Sequence, residues 1–404
     1  MSRRELFGSL CAMAFLVNLA RVIFAPLVQP ASQDFGVTAA SLGVVASAAW
    51  LGSATPRFPT GYLLTRFARH RIIAATGLLL VFTSLFTALS QSVAHLTVGA
   101  FLMGLSSGMY FIAANPLVSE LFPERVGSAI GIHGMSSQVS AVGAPLVVGV
   151  ILLLGDWRTT FLCLSAVAAL STVALVWAAR KTTLPEAGTE DRSLLVAARE
   201  QWPLVITGVV FVGLTGFLWN ALFNLYGDYL DVAKGIDAST GRLLLSLMFA
   251  AGIPAFFLTG RFADRVPNVP LIISIIATFS VSVFALTLVD GIVAIVAVSL
   301  VIGYAIHSMF PAIDTYMLSS LPDRHRASAY ALFSASMMLV QAFGSGVVGI
   351  AVARGVSYDA AFQLLTIVVA SMVSGMFVVY RIGWLPTGGE PGKTPRTTAG
   401  PGQD

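Results

Sequence analysis

Charge is what this sequence has least of. Only 10% of its 404 residues are Asp, Glu, Lys or Arg, against about 25% in soluble domains. A water-soluble globule is thereby excluded for a chain that is 56% hydrophobic with mean hydropathy +0.85. Lipid must be the solvent for most of its surface. Cysteine is nearly absent: Cys11 and Cys163 stand alone in apolar stretches, which excludes a disulfide framework and a cysteine metal site. There is no phosphate-binding glycine loop, no zinc-spaced Cys/His cluster and no Gly-x-Ser-x-Gly elbow. ATP-driven pumping, a bound cofactor and enzyme chemistry are therefore not expected.

What the chain does have is apolar runs of helix length. A bilayer-spanning helix needs roughly 20 such residues. Twelve runs qualify, at 6–28, 38–64, 71–92, 95–120, 126–154, 158–179, 202–227, 240–260, 269–289, 291–318, 326–353 and 358–381. The first holds Asn18 and Arg21 and lacks a cleavage site of small residues, so it reads as a retained span and not a signal peptide. The predicted organisation is a six-span bundle over 1–179, a polar linker over 180–201 with a short surface helix at Ser193–Glu200, a second six-span bundle over 202–381, and a disordered tail over 382–404, rich in Gly, Pro and Thr.

The net charge of +4 and pI near 9.2 do not call for a nucleic-acid partner. With both termini placed inside, 17 of the 23 Lys and Arg residues fall on the cytoplasmic side. That asymmetry is the positive-inside rule at work.

The chain also repeats itself. Gly61-Tyr-Leu-Leu-Thr65-Arg66-Phe-Ala-Arg69 follows the second span, and Gly260-Arg-Phe-Ala-Asp264-Arg265 follows the eighth, 199 residues later. Pro123-Glu-Arg125 and Pro322-Asp-Arg324 keep the same offset, and Gly149 and Gly349 differ by 200. Such an offset implies two halves of the same fold and orientation. With Trp157-Arg158-x-x-Phe161 opening the sixth span, the chain resembles the major facilitator superfamily over essentially its whole length. The resemblance implies an all-α membrane fold of two pseudo-symmetric six-helix bundles, alternating access around a central site, a cell-membrane location and a monomer. It also assigns Gly61, Arg66, Arg69, Gly260, Asp264 and Arg265 to conformational gating. Thr65 replaces the acid of that signature in the first copy.

Charges inside a bilayer cost roughly 2.5–3.5 kcal/mol on insertion scales, so they need partners or a wet cavity. Arg21, Arg57 and Asp314 are the clear cases, and Asp314 is the only acid clearly within a span apart from Asp228 near an outer end. Asn18 lies three residues before Arg21, on the same face. Arg21, Pro30 and Asp34-Phe-Gly resemble the first helix of the anion:cation symporter branch, with Ala20 in place of its Asp. Arg57, in Pro56-Arg57-Phe-Pro59, resembles the second-helix arginine of nitrate/nitrite porters, whose partner position in the eighth helix is Phe256 here. Substrate binding and gating are both open for Arg21. For Arg57 the choice is between the cavity and helix-end carbonyls. Trp50, two turns before Arg57, is expected to face the same cavity.

Tyr304, His307, Pro311 and Asp314 recur on one helical face. Asp314 and His307 can titrate, which makes them the candidates for proton coupling. The alternatives are a gate closed by Asp314 with an arginine such as Arg265, and a packing role for His307. Tyr110, Gln138, Asn220, Asn224 and Gln341 supply neutral polar groups, either to a substrate or as glue between helices. In the repeat, Asn115 falls opposite Asp314 and Asn220 opposite Arg21.

Two basic residues without an acid in the first half favour a small anionic solute moved with protons. Proton-driven efflux of amphipathic compounds is the alternative, supported by Gly143-x-Pro145 and the Phe- and Met-rich helices. A receptor that keeps the fold without turnover is a third reading.

Overall fold

The computed structural model describes residues 2–37, 42–184 and 193–386. Among the described residues every regular element is helical. Eight α-helices build the first part: α1 (Ser2–Val22), α2 (Phe24–Phe35), α3 (Gly43–Ala54), α4 (Arg57–Arg66), α5 (Arg69–Ala88), α6 (Val93–Leu121), α7 (Val126–Leu152) and α8 (Trp157–Lys181). The second part holds α9 (Leu194–Lys234), α10 (Ala238–Ala250), α11 (Gly252–Ala263), α12 (Asn268–Leu288), α13 (Ile292–Ser320), α14 (Arg326–Ala342), α15 (Gly344–Ala353) and α16 (Tyr358–Arg381).

Among the described residues, eleven helices are long and apolar enough to cross a membrane, against twelve expected spans. The remaining span is the second, divided into α3 and α4 around Thr55 and Pro56. Proline has no N–H to donate and its ring crowds the carbonyl four residues back, which explains the division. The first span is likewise parted at Ile23, three residues before Pro26, and the eighth at Ala251, three before Pro254. The eleventh parts at Phe343 without a proline. There Gly344 lies so close to α9 that a Cβ would come 2.1 Å from the Phe217 carbonyl oxygen. Asn220 Oδ1 accepts a hydrogen bond from Ser345 N at 3.2 Å, serving the freed backbone.

The seventh span exceeds its expected limits. The surface helix expected at Ser193–Glu200 is continuous with it in the 41-residue α9, capped by Ser193. At 1.5 Å per residue this helix is about 60 Å long, roughly twice the hydrocarbon core. The centre of the expected linker (185–192) and most of the expected tail (387–404) lie outside the described residues.

Large apolar side chains point outward all round the bundle, among them Leu146, Leu154, Leu170 and Val281. That is the arrangement a lipid solvent rewards. Between the N-terminal and C-terminal sets of helices, packing is made chiefly by α7 with α11 and by α4 with α14. Both crossings use small residues, which let backbones approach. A Cβ on Gly260 would lie 2.4 Å from Gly127 O and 2.8 Å from Gly131 Cα; one on Gly61 would lie 2.6 Å from Ala331 Cβ. These are the same crossing made twice, since Gly61 and Gly260 are 199 apart and Gly131 and Ala331 are 200 apart. Both sit at the end of the bundle that carries the loop signatures, the signature end. Toward the opposite end, Gly143 and Gly149 of α7 and Gly346 and Gly349 of α15 have open space beside them, and α15 packs on α9, α14 and α16.

Overpacking a close crossing costs about 1–3 kcal/mol. Gly260→Val is therefore expected to lower the thermal midpoint of the purified protein in detergent. Gly349→Val, in open space, should leave it unchanged, and an equal fall in both variants would refute the crossing.

Candidate functional site

Two polar clusters occupy the interior. The first is central. Asn18 of α1 is buried and donates to Ser137 O at 2.7 Å and to Ser140 Oγ at 2.9 Å on α7. Both amide hydrogens are thereby spent on α7, so its Oδ1 is turned toward Arg21 and accepts from Nη2. The Arg21 guanidinium stacks on Trp50 of α3, 4.1 Å from the ring centroid. Its Nε is buried and has no hydrogen-bond partner. No carboxylate lies within ion-pair distance of Arg21 among the described residues.

Across from it the second half presents rings. Phe223 is 6.5 Å from Trp50 and packs on Trp219 at 5.8 Å and Phe249 at 5.6 Å, and His307 lies 5.9 Å from Trp219 and 5.3 Å from Phe249. His307 is buried, and its Nδ1 lies 2.7 Å from the Gly303 carbonyl. Gln138 of α7 and His307 of α13 converge on Gly252, where a Cβ would lie 3.0 Å from Gln138 Oε1 and 2.9 Å from His307 Cγ. Gln138 Oε1 is buried without a partner. Arg21, Asn18, Trp50, Gln138 and His307 thus share one region.

The second cluster lies between this region and the signature end and joins the two sets of helices. Arg57 Nε donates to Ser53 O at 3.3 Å, and its Nη1 to Ser334 Oγ of α14. Asp314 of α13 accepts from Tyr330 Oη at 2.9 Å and from Asn115 Nδ2 at 3.1 Å; Asn115 Nδ2 also donates to Tyr330 Oη at 2.8 Å. Asn115 and Asp314, equivalent positions in the repeat, therefore touch each other. Arg57 feels the attraction of Asp314 and the repulsion of Arg21.

At the signature end, Asp264 accepts from Gly127 N (2.6 Å), Ser128 N (2.8 Å) and Ser128 Oγ (2.5 Å) at the start of α7. A carboxylate there satisfies amides that have no partner inside the helix and faces the positive end of its dipole. Thr65, in the corresponding place, bonds within its own helix, to Tyr62 O at 2.7 Å. Arg69 pairs with Glu120, and Arg326 Nη1 lies 3.6 Å from the same carboxylate. Arg66 is exposed, its guanidinium 5.5 Å from the Tyr62 ring. Arg265 is exposed too.

Several sequence expectations need correction. Asp314 meets Tyr330 and Asn115 and not Arg265. Glu120, inside α6 with a side chain 6% exposed, is a buried acid of the first half that went unnoticed because it sits at the last turn of its span. Tyr110 is fully buried: its hydroxyl donates to Leu10 O at 2.5 Å and contacts His133 Nε2 at 2.9 Å. With the Tyr110 proton committed to Leu10, His133 must be the donor in that contact, and the ring is held between helices away from the central region. Asn220 serves the break before α15, Asn224 is exposed and donates to Asn220 O at 2.9 Å, and Gln341 donates to Val212 O at 3.3 Å. Tyr304 is exposed, whereas His307 on the same helix is buried. Tyr330 and Ser334, four residues apart on α14, also went unnoticed; their one sequence signal is polar spacing of one helical turn.

Residues 10–277 and 210–401 match the Major Facilitator Superfamily, and the chain belongs to that family. The fold agrees: the crystal structure of the E. coli fucose:proton symporter FucP superposes with a TM-score of 0.76 over 94% of this chain and 99% of that one, at 14% identity. Among sequence relatives, "Probable sulfoacetate transporter SauU" of Cupriavidus necator is 25% identical over 286 residues, 66% of each chain. "Probable nitrate transporter NarT" of Staphylococcus carnosus is 27% identical over 141 residues, 34% of this chain and 35% of that one. The chain thus spans just under two thirds of the first relative and about a third of the second.

Hydrogen bonds to a charged group are worth about 1.5–3 kcal/mol. Asp264→Asn is expected to loosen the signature end, read as an increase of about tenfold or more in labelling of a cysteine placed at Ala129 in a background lacking Cys11 and Cys163. Unchanged labelling would show that Asp264 does not hold α7 to α11.

Proposed function

We propose that the protein is a secondary transporter of a small anion, coupled to protons, working by alternating access in the cell membrane as a monomer with both termini in the cytoplasm. The observation that carries the reading is Arg21: a half-buried guanidinium in the middle of the bundle with an unpartnered Nε and no acid beside it. A buried cation without a counter-ion is costly, and an anionic solute would supply what is missing. Arg57 adds a second positive charge, and its repulsion with Arg21 would be relieved by an anion near both. Trp50, Asn18 and Gln138 would orient the solute. The names of the sulfoacetate and nitrate relatives agree with an anion.

Asp314 is the proton candidate. It is held by neutral donors that also bridge the two halves, so protonating it would remove the charge that Tyr330 and Asn115 stabilise and weaken the junction near Arg57. His307, beside Gln138, is the second candidate. In this reading the segments 1–179 and 202–381 rock about the central region, and the glycine crossings with Gly61, Arg69, Gly260 and Asp264 close the signature end. Efflux of amphipathic compounds is the competing reading, favoured by the rings of Trp50, Trp219, Phe223 and Phe249.

Uptake of nitrate, cyanate, monocarboxylates and sulfonates into proteoliposomes, with and without an inward proton gradient, separates the two. One anion should accumulate under the gradient, and Arg21→Ala should reduce its uptake at least about a hundredfold, since a buried charge pair broken on one side costs about 3–5 kcal/mol. Uptake at the parental rate in both Arg21→Ala and Arg57→Ala would refute the anion reading. In Asp314→Asn, exchange of labelled for unlabelled solute should persist while stimulation by the gradient disappears. Stimulation that survives would remove Asp314 as the proton site.

A further inference from the structure

The signature end carries a pocket of about 530 Å³ that the transport cycle described above does not use. Four arginines line it: Arg4 and Arg125 from the N-terminal set, Arg261 and Arg265 from the C-terminal set. Its floor is apolar, with Phe7 and Phe122 stacked edge to face at 4.9 Å. A second opening of about 390 Å³ continues from it past Arg3, which lies 4.7 Å from the Phe122 ring. No acid lies within ion-pair distance of Arg4, Arg125, Arg261 or Arg265 among the described residues. Asp264 borders the pocket but has both oxygens engaged by Gly127 and Ser128. Among the described residues, Glu124 beside the second opening is the other acid lining this region, and positive charge remains in excess over the two acids.

The repeat shows what is missing. Arg324 stands 199 residues after Arg125 in the matching loop, and there Glu200 at the start of α9 pairs with it at 2.9 Å. Among the described residues, the chain brings its own carboxylate to one copy of the loop and none to the other. Arginine forks suit phosphate oxygens, which they bind bidentately. An apolar floor under a basic rim, at the end of an otherwise lipid-facing bundle, matches a lipid with an anionic headgroup. Beside the pocket, α11 exposes Phe262 and Leu258.

We propose that this pocket binds the phosphate-bearing headgroup of an anionic phospholipid, held by Arg4 and Arg125 from one set of helices and Arg261 and Arg265 from the other. A headgroup seated there bridges α7 and α11 and adds to the hold of Asp264 on the closed signature end. The binding site does not depend on which solute the protein carries.

The test is titration of the purified full-length protein in neutral detergent, following bound lipid by native mass spectrometry and the thermal midpoint. Phosphatidylglycerol should bind and raise the midpoint; phosphatidylcholine should do neither. Each arginine near a membrane surface contributes about fivefold in affinity, so Arg125→Gln and Arg265→Gln should each weaken phosphatidylglycerol binding about fivefold. Arg180→Gln, an exposed arginine at the end of α8 outside the pocket, should not. Full affinity in both pocket variants, or equal binding of phosphatidylcholine, would overturn the site. The same rise in midpoint with inorganic phosphate alone would overturn the lipid as its occupant.

Discussion

The cost of placing a guanidinium where water is scarce governs the interior of this protein. Arg21 and Arg57 stand in the bundle with one acid, Asp314, close enough to attract only the second of them. Neutral groups are arranged around that imbalance. The amide of Asn18 is fixed from the nitrogen side by Ser137 and Ser140, so its oxygen is available to Arg21. The face of Trp50 supplies a cation–π contact, worth up to about 2 kcal/mol when desolvated. Arg57 is met by a backbone carbonyl and a serine, and Asp314 by a phenol and an amide. Each of these three charges is tolerated, but none is neutralised by an ion pair within contact distance.

The proposed alternation would need surfaces that separate and close without rebuilding. The glycine crossings of α7 with α11 and of α4 with α14 would suit that, because backbones that meet without side chains between them leave little to interdigitate. Polar contacts then decide how firmly each crossing is held. On one side Asp264 takes three hydrogen bonds at the start of α7. On the other, Thr65 turns back to its own helix, and the buried group of Arg69, Glu120 and Arg326 ties α5 and α6 to α14. The two halves keep the same backbone plan with different chemistry at the closing end.

The difference extends to the core of the repeat. Where the first half has Arg57, the second has Phe256, stacked on Phe310 at 6.2 Å and lying against Gly134. At this pair of positions the first half carries a positive charge and the second a ring. The space between the two halves is bounded by Arg21 and Trp50 on one side and by the group of Trp219, Phe249 and His307 on the other.

Composition and repetition alone determined the class of protein. Low charge forces a lipid-facing surface, the apolar runs are long enough to span it, and an offset near 199 is visible because duplicated loops keep the residues that turn and close them. Arg21, Arg57 and Asp314 were legible for the same reason, since ionisable residues stand out in apolar runs. The partners of those residues were not. Whether Asp314 meets Arg265 or Tyr330, whether Tyr110 faces a solute or a helix backbone, and whether Glu120 lies in water or against Arg69 depend on helix rotation and crossing, which join residues 16 to 277 positions apart in the chain. Helix periodicity fixes which side chains share a face, but only the packing of one helix against another decides what that face meets.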